Sequence, residues 1–293
     1  MDTRVLKYFL VIAQEESITK AAEILHTTQP NLSRQLHELE DRIGKQLLVR
    51  GNKKTTLTEE GMFLRKRAQE IIELIEKTES DLETYGEDIS GSIHIGAAET
   101  HAMKDISKHM LALRKDYPKI QFHIFSGSTI EVTEKIHKGL IDFGILVAPV
   151  DLSKYDYLKL PIKDSFGILM RKDSPLAKLS EISCQDIIDL PLIVSQQQLD
   201  GNVLSGWLKR DIKSLDIVST FNLITTPAMM VEAGLGYAFT FDKLVNTNGD
   251  SELCYRPLFP KIETELYFVW KKHQMFSPAA KLFLDYLQLH FFK

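Results

Sequence analysis

The amino-acid sequence predicts an α+β protein of several domains: an N-terminal winged helix-turn-helix, a long linker helix, and a C-terminal α/β domain. Three observations lead to this prediction. Short amphipathic helices and a basic hairpin occupy residues 1–58, an apolar heptad pattern runs through residues 59–88, and strands alternate with helices over residues 89–293. A length of 293 residues agrees with two or three domains.

Composition limits the class of protein. Apolar residues make up 44% of the chain and charged residues 26%, which is typical of a globular protein, and no apolar stretch is long enough to span a membrane. The N-terminus lacks the basic and apolar segments of a secretion signal, so we expect a cytoplasmic protein with no membrane partner. Cys184 and Cys254 lie far apart without a CxxC motif, so we expect free thiols, no metal and no cofactor.

The first helices follow a helix-turn-helix pattern. Apolar residues at helical spacing predict a first helix from about Thr3 to Glu15. Ser17 can then cap a second helix, Ile18 to Leu25. A third helix starts at Gln29-Pro30, with Thr28 or Gln29 as its cap, because proline is tolerated in the first turn of a helix.

The third helix has one apolar face and one polar face. Leucines at spacings of three and four predict the buried face, so small polar residues and an arginine lie opposite, near the helix N-terminus. Helices of this kind enter the DNA major groove, where Asn and Gln pair with adenine edges and Arg with guanine. The predicted DNA-contacting residues of this helix are Thr28, Gln29, Pro30, Asn31, Ser33 and Arg34. The alternative, for such a face taken alone, is a solvated surface.

Two short apolar runs, 47–49 and 55–57, flank a basic turn and predict a hairpin, or wing. We expect Arg50, Lys53 and Lys54 to contact DNA phosphates or the minor groove from this wing. Residues 1–58 carry nine basic and seven acidic side chains, whereas residues 59–88 carry four and ten. A basic patch on an acidic protein indicates a polyanion bound at one place, although a solvated loop is the alternative.

The segment after Thr58 has the pattern of a long amphipathic helix that ends near Gly86. Thr58 can cap this helix, and the acids at 59 and 60 suit its first turn. An uninterrupted a/d repeat comprises Leu64, Ala68, Ile71, Ile75, Thr78, Leu82 and Tyr85. A repeat of 3.5 residues is the seam of a coiled coil, so we expect a homodimer formed through this helix. The alternative is a helix packed within its own chain.

The residues that mark these N-terminal elements occur in a fixed order. They are Leu6, Phe9, Ser17, Ala21-Ala22, Leu25, the run 28–36, Leu39-Glu40, Gly44, Leu47, Arg50, Leu57-Thr58 and Gly61. This order resembles the N-terminal signature of LysR-type transcriptional regulators over about 60 residues. Leu48 departs from the family, which usually has phenylalanine there, but the exchange of one apolar residue for another affects only packing.

The resemblance implies a DNA-binding regulator whose linker helix dimerises and whose C-terminal domain, folded like type 2 periplasmic binding proteins, binds an effector between two lobes. Lobe 1 would comprise about 92–161 and 267–293, and lobe 2 about 162–266. By the family pattern, the positions of Gln29, Pro30, Ser33 and Arg34 and the wing contact DNA. The implied partners are double-stranded promoter DNA, an unidentified small molecule and further copies of the chain as a homotetramer, with RNA polymerase as a candidate. The effector would alter DNA bending or promoter occupancy.

From Ser92 onward the pattern is βαβ, which implies a parallel sheet covered by helices. Predicted strands cover 92–97, 120–125, 143–147, 166–170, 182–188, 192–194, 217–222, 237–241 and 266–270. Predicted helices cover 100–116, 129–138, 203–213, a segment from Pro227, and 279–292.

Ligands of open α/β sheets bind at the carboxyl ends of strands, where helix N-termini present free N–H groups. The predicted effector-binding residues at such ends are Thr100, His101, Ser128, Thr129, Val147, Ser195 and Thr226. The resemblance adds that Thr100 and Ser128 align with hydroxyls that often hold effector. The alternative for each hydroxyl is helix capping. Because these loops contain no Arg or Lys, we expect a small anion held by helix ends, or a neutral polar ligand.

No catalytic residues are predicted. The chain has no GxGxxG after a strand, no P-loop and no GxSxG elbow, and its nine histidines are scattered. Two alternatives to a ligand-sensing regulator remain: a redox-sensing regulator that uses the thiols of Cys184 and Cys254, and an enzyme on the same scaffold. Members of the family that sense peroxide usually have two close cysteines near the region 199–210, where this chain has none.

Overall fold

The computed structural model describes residues 1–51, 54–83 and 89–291, except the side chains of Arg50 and Glu83. The chain divides into two compact units, Met1–Leu82 and Glu83–Lys293. In the described ranges, no helix is both long enough and apolar enough to cross a membrane.

The first unit consists of four helices and a hairpin among its described residues. Its elements are α1 (Thr3–Glu15), α2 (Ile18–Ile24), α3 (Gln29–Ile43), β1 (Leu48–Arg50), β2 (Thr55–Leu57) and α4 (Glu59–Glu83). The Ser17 side chain caps α2 by accepting from the Lys20 N–H, as predicted. Thr28, one of the two predicted candidates, occupies the N-cap position of α3, but its side chain makes no capping hydrogen bond.

The core of this unit joins the helices to the hairpin. Phe9, Ile12, Leu32 and Leu39 are fully buried in one cluster. The Glu40 carboxylate accepts from the backbone N–H groups of residues 47 and 48, at 2.8 and 3.1 Å, which fixes the hairpin against the end of α3. Strands β1 and β2 pair antiparallel.

Helix α4 differs from the prediction in what its apolar residues contact. Thr58 caps it as expected, since its hydroxyl accepts from the Gly61 N–H at 3.0 Å. Leu64 and Ala68, together with Ile72, are buried in the core of the same unit. The prediction that Leu64 and Ala68 form an intermolecular seam is therefore wrong, because these side chains are already covered.

The second unit alternates strands and helices. Its elements are β3 (Gly91–Ala97), α5 (Met103–Asp116), β4 (Ile120–Ser126), α6 (Thr129–His137), β5 (Phe143–Val147), β6 (Tyr155–Arg171), β7 (Leu192–Ser195), α7 (Gln196–Asp200), α8 (Val203–Leu208), β8 (Ile217–Phe221), α9 (Thr225–Glu232), β9 (Tyr237–Phe241), β10 (Leu253–Pro257), β11 (Glu263–Lys271) and α10 (Pro278–Phe291).

The strands form one sheet in the order β4-β3-β5-β11-β6-β9-β7-β8, with β10 also paired to β6. Strands β3, β4 and β5 are parallel to one another, and β7 is parallel to both β8 and β9. The antiparallel strands β6 and β11 lie between these two parallel sets. We call β3–β5 with α5, α6 and α10 lobe 1, and β7–β10 with α7–α9 lobe 2.

Several elements of this unit differ from the predictions. Residues 182–188 form no strand; a short 3-10 helix, Cys184–Asp186, stands there. The helix predicted over 203–213 ends at Leu208, because Lys209 adopts a left-handed conformation with φ 53°. The helix predicted from Pro227 begins at Thr225. Strand β10 and helix α7 were not predicted.

Candidate nucleic-acid interface and ligand cleft

The polar residues at the start of α3 lie on an accessible face of the first unit. Thr28, Gln29, Pro30 and Arg34 are exposed, and Asn31 and Ser33 are partly buried. The Arg34 side chain is 68% exposed. These six side chains therefore stand within the first two turns of one helix, in reach of an external partner.

Hydrogen bonds between neighbours orient this face. The Gln29 amide donates to the Ser33 hydroxyl at 3.2 Å, and the Arg34 guanidinium donates to the Asn31 amide oxygen at 3.3 Å. Arg34 also lies 3.9 Å from the Glu38 carboxylate. Exposed ion pairs contribute about 0–1 kcal/mol, so Arg34 can exchange these contacts for a base edge at little cost.

The wing is attached to the end of α1. The Lys54 ammonium lies 3.0 Å from the Glu16 carboxylate, and the Thr55 N–H donates to the Glu16 carbonyl at 2.8 Å. Lys54 is exposed, so it remains accessible to a phosphate. Of the other predicted wing residues, Arg50 lies in β1 and Lys53 lies outside the described residues.

On α4 the outward apolar residues form a stripe. Ile71, Leu74 and Leu82 are exposed, as is Thr78, whereas Ile75 is partly buried. Of the predicted seam, Ile71, Ile75, Thr78 and Leu82 thus remain at least partly accessible, and Tyr85 lies outside the described residues.

A cavity of about 540 Å³ opens between the two lobes of the second unit. It lies at the carboxyl ends of β3, β4, β5 and β7, which is where the strand-end rule places a ligand. The predicted residues that line it are Ser128, Thr129, Val147 and Ser195.

Three predicted effector residues do not line this cavity. Thr100 is buried, its hydroxyl accepts from the Ala102 N–H at 3.1 Å, and it hydrogen-bonds to Asp164 on β6. The backbone of His101 also bonds to Asp164. Thr226 is exposed on α9 away from the cavity wall. Their assignment as cavity residues is wrong, because the turn after β3 directs residues 100 and 101 toward β6.

The serine hydroxyls of the cavity act as helix caps. Ser128 forms a capping box with Glu131, and Ser195 accepts from the Gln198 N–H at 3.1 Å. Capping, the alternative considered from the sequence, is therefore the contact that the structure gives these two hydroxyls.

Two hydrogen-bonded contacts cross the cleft, and the predictions missed both. The Glu99 carboxylate of lobe 1 accepts from the Ile224 N–H of lobe 2 at 2.6 Å. The Gln197 amide of lobe 2 accepts from the Thr129 N–H at 3.3 Å and donates to the Thr129 hydroxyl at 3.2 Å. The strand-end rule led to the turn 99–101, but Glu99 was not among the predicted effector-binding residues, although its acidic side chain directly after a buried strand was a signal that could have identified it.

The wall of the cavity is mainly apolar and aromatic. Its larger apolar side chains are Ile130, Val147, Phe166, Val203, Leu204, Phe221, Ile224, Phe239, Phe241 and Leu244. The ring centres of Phe166 and Phe241 lie 4.4 Å apart. Its charged side chains are all acidic: Glu99, Glu131 and Asp200. This wall disfavours the small anion that the sequence led us to expect.

The cysteines are both free. Cys254 is buried, and burial raises the pKa of its thiol, which lowers the fraction of reactive thiolate. This environment gives no support to a redox switch. The described part of the chain contains no group of three or more His, Cys, Asp or Glu side chains arranged to hold a metal.

Comparisons with known proteins cover both units. The family model described as "Bacterial regulatory helix-turn-helix protein, lysR family" matches residues 3–62, and "LysR substrate binding domain" matches residues 86–291. The chain is 28% identical to the Hca operon transcriptional activator HcaR of Escherichia coli over 292 residues, covering 98% of this chain and 97% of HcaR. It is 37% identical to the regulator BsdA of Bacillus subtilis over 196 residues, covering 66% and 67%.

Solved structures share the fold along the whole chain. CbnR, described as a LysR family transcriptional regulator, superposes with a TM-score of 0.77 at 16% identity, covering 100% of both chains. CbnR in complex with its target DNA superposes with a TM-score of 0.76 at 16% identity, covering 99% of both chains.

Proposed function

The chain belongs to the LysR family of DNA-binding transcriptional regulators, and from this premise we propose that its cleft binds a small-molecule effector that controls promoter binding. The DNA contacts that we propose are those of α3 and the wing: Thr28, Gln29, Pro30, Asn31, Ser33, Arg34, Arg50, Lys53 and Lys54. The protein would act in the cytoplasm by binding and not by catalysis, with residues 1–58, 59–88 and 89–293 as its three functional parts.

The single observation that supports effector control is that residues of both lobes line one cavity and bond across it. A ligand that contacts both lobes favours one angle between them through its different affinity for the two states. Replacement of the contacts at Glu99 and Gln197 by ligand contacts would change that angle. A coupling free energy of about 1–3 kcal/mol is enough to alter DNA bending or occupancy.

The exposed stripe of α4 supports a homodimer. Apolar side chains at 71, 74 and 82 are exposed, and an exposed stripe along a long helix is typical of a surface that a second helix covers. We propose Ile71, Leu74, Ile75, Thr78 and Leu82 as the contact, with Tyr85 from the sequence pattern. A homotetramer and contact with RNA polymerase are further parts of this proposal.

The test combines a DNA selection with a ligand screen on the full chain. Bound sequences are selected from a random DNA library, and metabolites are then screened for those that raise the melting temperature and change the footprint on the selected site. Ala148→Trp places a large side chain in the cavity from its wall, whereas Ala233→Trp places the same side chain at an exposed site outside the cavity. We expect the first variant to lose the ligand response and the second to keep it; equal responses would contradict the proposal.

A further inference from the structure

The charged side chains that line the cleft have one sign. Glu99, Glu131 and Asp200 line the cavity, and no Lys or Arg is among the described residues of its wall. Glu131 and Asp200 are exposed and lie at the rim, whereas Glu99 is partly buried. The Asp200 carboxylate lies 3.5 Å from the Lys213 ammonium, which is not part of the wall. An anionic ligand would be repelled by the Glu99 and Glu131 carboxylates and would find no cationic side chain among the described residues of the wall.

The Glu99 carboxylate can accept further hydrogen bonds. One of its oxygens accepts from the Ile224 N–H, and no described residue donates a hydrogen bond to the other oxygen. Burial raises the pKa of this carboxyl, and among the described residues the same backbone N–H, and not a cation, opposes this effect. A partly buried carboxylate without a cationic neighbour is stabilised by a ligand that supplies one.

The aromatic wall suits the same kind of ligand. Phe166, Phe221, Phe239 and Phe241 line the cavity, and Phe239 is fully buried. Aromatic faces cover an apolar skeleton and attract an ammonium group through their quadrupole. A volume of about 540 Å³ lies within the usual range for small-molecule pockets.

Resting on the proposed effector cleft, we propose that the effector is a small, mainly apolar amine whose ammonium group binds Glu99. The ammonium donates to the Glu99 oxygen that Ile224 leaves free, and the apolar skeleton packs on the phenylalanine wall. Because the same carboxylate accepts from lobe 2, an amine bound there contacts the connection between the lobes directly.

Calorimetric titration of the full chain with matched compounds tests this ligand class. The probes are 2-phenylethylamine, 2-phenylethanol and 3-phenylpropanoate, followed by the cyclohexyl and naphthyl members of the same three groups. We expect at least one amine to bind about tenfold or more tightly than its alcohol, as a hydrogen bond to a charged group allows. The carboxylates should not bind. The proposal would be overturned if a carboxylate bound as tightly as the amine with the same hydrocarbon skeleton, or if none of the amines bound.

Glu99→Gln isolates the charge. Glutamine retains an oxygen that accepts from the Ile224 N–H, so the connection between the lobes is kept. We expect this variant to weaken amine binding about tenfold or more and to leave alcohol binding within about threefold. Asp189→Asn removes one negative charge at an exposed position of lobe 2 outside the cavity wall and should change amine affinity by less than about threefold. Equal losses in both variants would show a general effect of charge and contradict binding at Glu99.

A pH titration of the wild type provides a second measurement that needs no variant. Amine affinity should fall as the pH is lowered through the raised pKa of Glu99, since the protonated carboxyl no longer attracts a cation. Footprints recorded in parallel separate this proposal from the proposed function. An amine that binds through Glu99 without altering the footprint contradicts effector control but not the ligand class. A carboxylate that binds and alters the footprint contradicts the ligand class alone.

Discussion

Asp164 on β6 is a buried carboxyl with an incomplete set of hydrogen bonds. It is 3% exposed, Thr100 and the backbone of His101 bond to it, and its Oδ2 has no hydrogen-bond partner within the described part of the chain. Burial raises the pKa of Asp164 above its usual value, more than the two hydrogen bonds lower it. The folded state therefore favours protonated Asp164. The protonated side chain contributes stability at a pH below its pKa in the unfolded chain, and this contribution is lost as the pH rises through the pKa of Asp164 in the folded protein.

Asp164→Asn should thus stabilise the protein at neutral pH and have little effect under acidic conditions. The amide is neutral and keeps an oxygen that accepts from Thr100, so it avoids the cost of burying a charge, and we expect a gain of about 1–3 kcal/mol at pH 7.5. Urea unfolding at pH 7.5 and pH 4 measures the difference. Asp156→Asn, at an exposed position of the same strand, is the control. A gain that does not depend on pH would contradict the protonation argument.

Arg34 and Lys53 should differ in their effect on DNA binding. Arg34→Ala removes a donor that we propose for a base edge, so it should cost about 1–3 kcal/mol and relax the sequence preference. Lys53→Ala should weaken all sequences alike and reduce the salt slope by about one unit. Binding to the selected site and to a scrambled site, measured at several salt concentrations, gives both numbers. A uniform loss in both variants would contradict base readout by Arg34.

At the scale of single residues, the sequence located the loops of the cleft better than its side chains. The strand-end rule led to the right turns, since residues 128, 129, 147 and 195 line the cavity. It failed at Thr100, because the direction of that side chain depends on a partner on β6, distant in the sequence. It led to the turn that contains Glu99 but did not predict the contact of this residue, whose partner is a backbone N–H of the other lobe.

At the scale of elements, α4 has two apolar faces with different neighbours. A heptad pattern in the sequence does not distinguish a face that meets its own domain from one that meets a second chain, since both require apolar spacing of three and four. Leu64, Ala68 and Ile72 belong to the first kind, and Ile71, Leu74 and Leu82 are exposed.

Ile71→Asp and Ala68→Asp should therefore have different consequences. The first places a charge in the proposed dimer contact, so we expect folded monomers whose helix content is close to that of the wild-type protein. The second places a charge in the core of the first unit and should unfold that unit. Sedimentation velocity with circular dichroism separates the two outcomes. Dimers of unchanged stability in the Ile71 variant would exclude this stripe as the contact.

The elements of lobe 1 were easier to predict than those of lobe 2. Strand β5 is buried at every position and was predicted with its observed bounds. Strand β10 pairs with β6 outside the main strand order and contains an arginine and a proline. Helix α7 is a polar segment of five residues. Short elements of this kind lack the apolar period on which the prediction depends.

At the scale of the whole molecule, the Gln197 contact should help to set the angle between the lobes. Gln197→Ala removes the amide that makes two hydrogen bonds with Thr129. Because each hydrogen bond contributes about 0.5–1.5 kcal/mol, the lobes should open more often without unfolding. Distances between spin labels, one on each lobe, should lengthen or broaden. Gln121→Ala, on an exposed position of β4, is the control and should leave the distribution unchanged. An unaltered distribution in the Gln197 variant would contradict a role for this contact.

The pairing of β6 with β11 makes lobe 2 an insertion in lobe 1. The chain leaves along β6 and returns along β11, where Asp164 pairs with Thr264 and Ser165 with Glu263. Paired residues of antiparallel strands have Cα atoms about 5 Å apart, so the ends of the inserted segment are neighbours. Segments with adjacent ends are readily exchanged between proteins as cassettes. One recombination event could thus replace half of the cleft, and with it the ligand recognised, while the residues at the start of α3 stay the same.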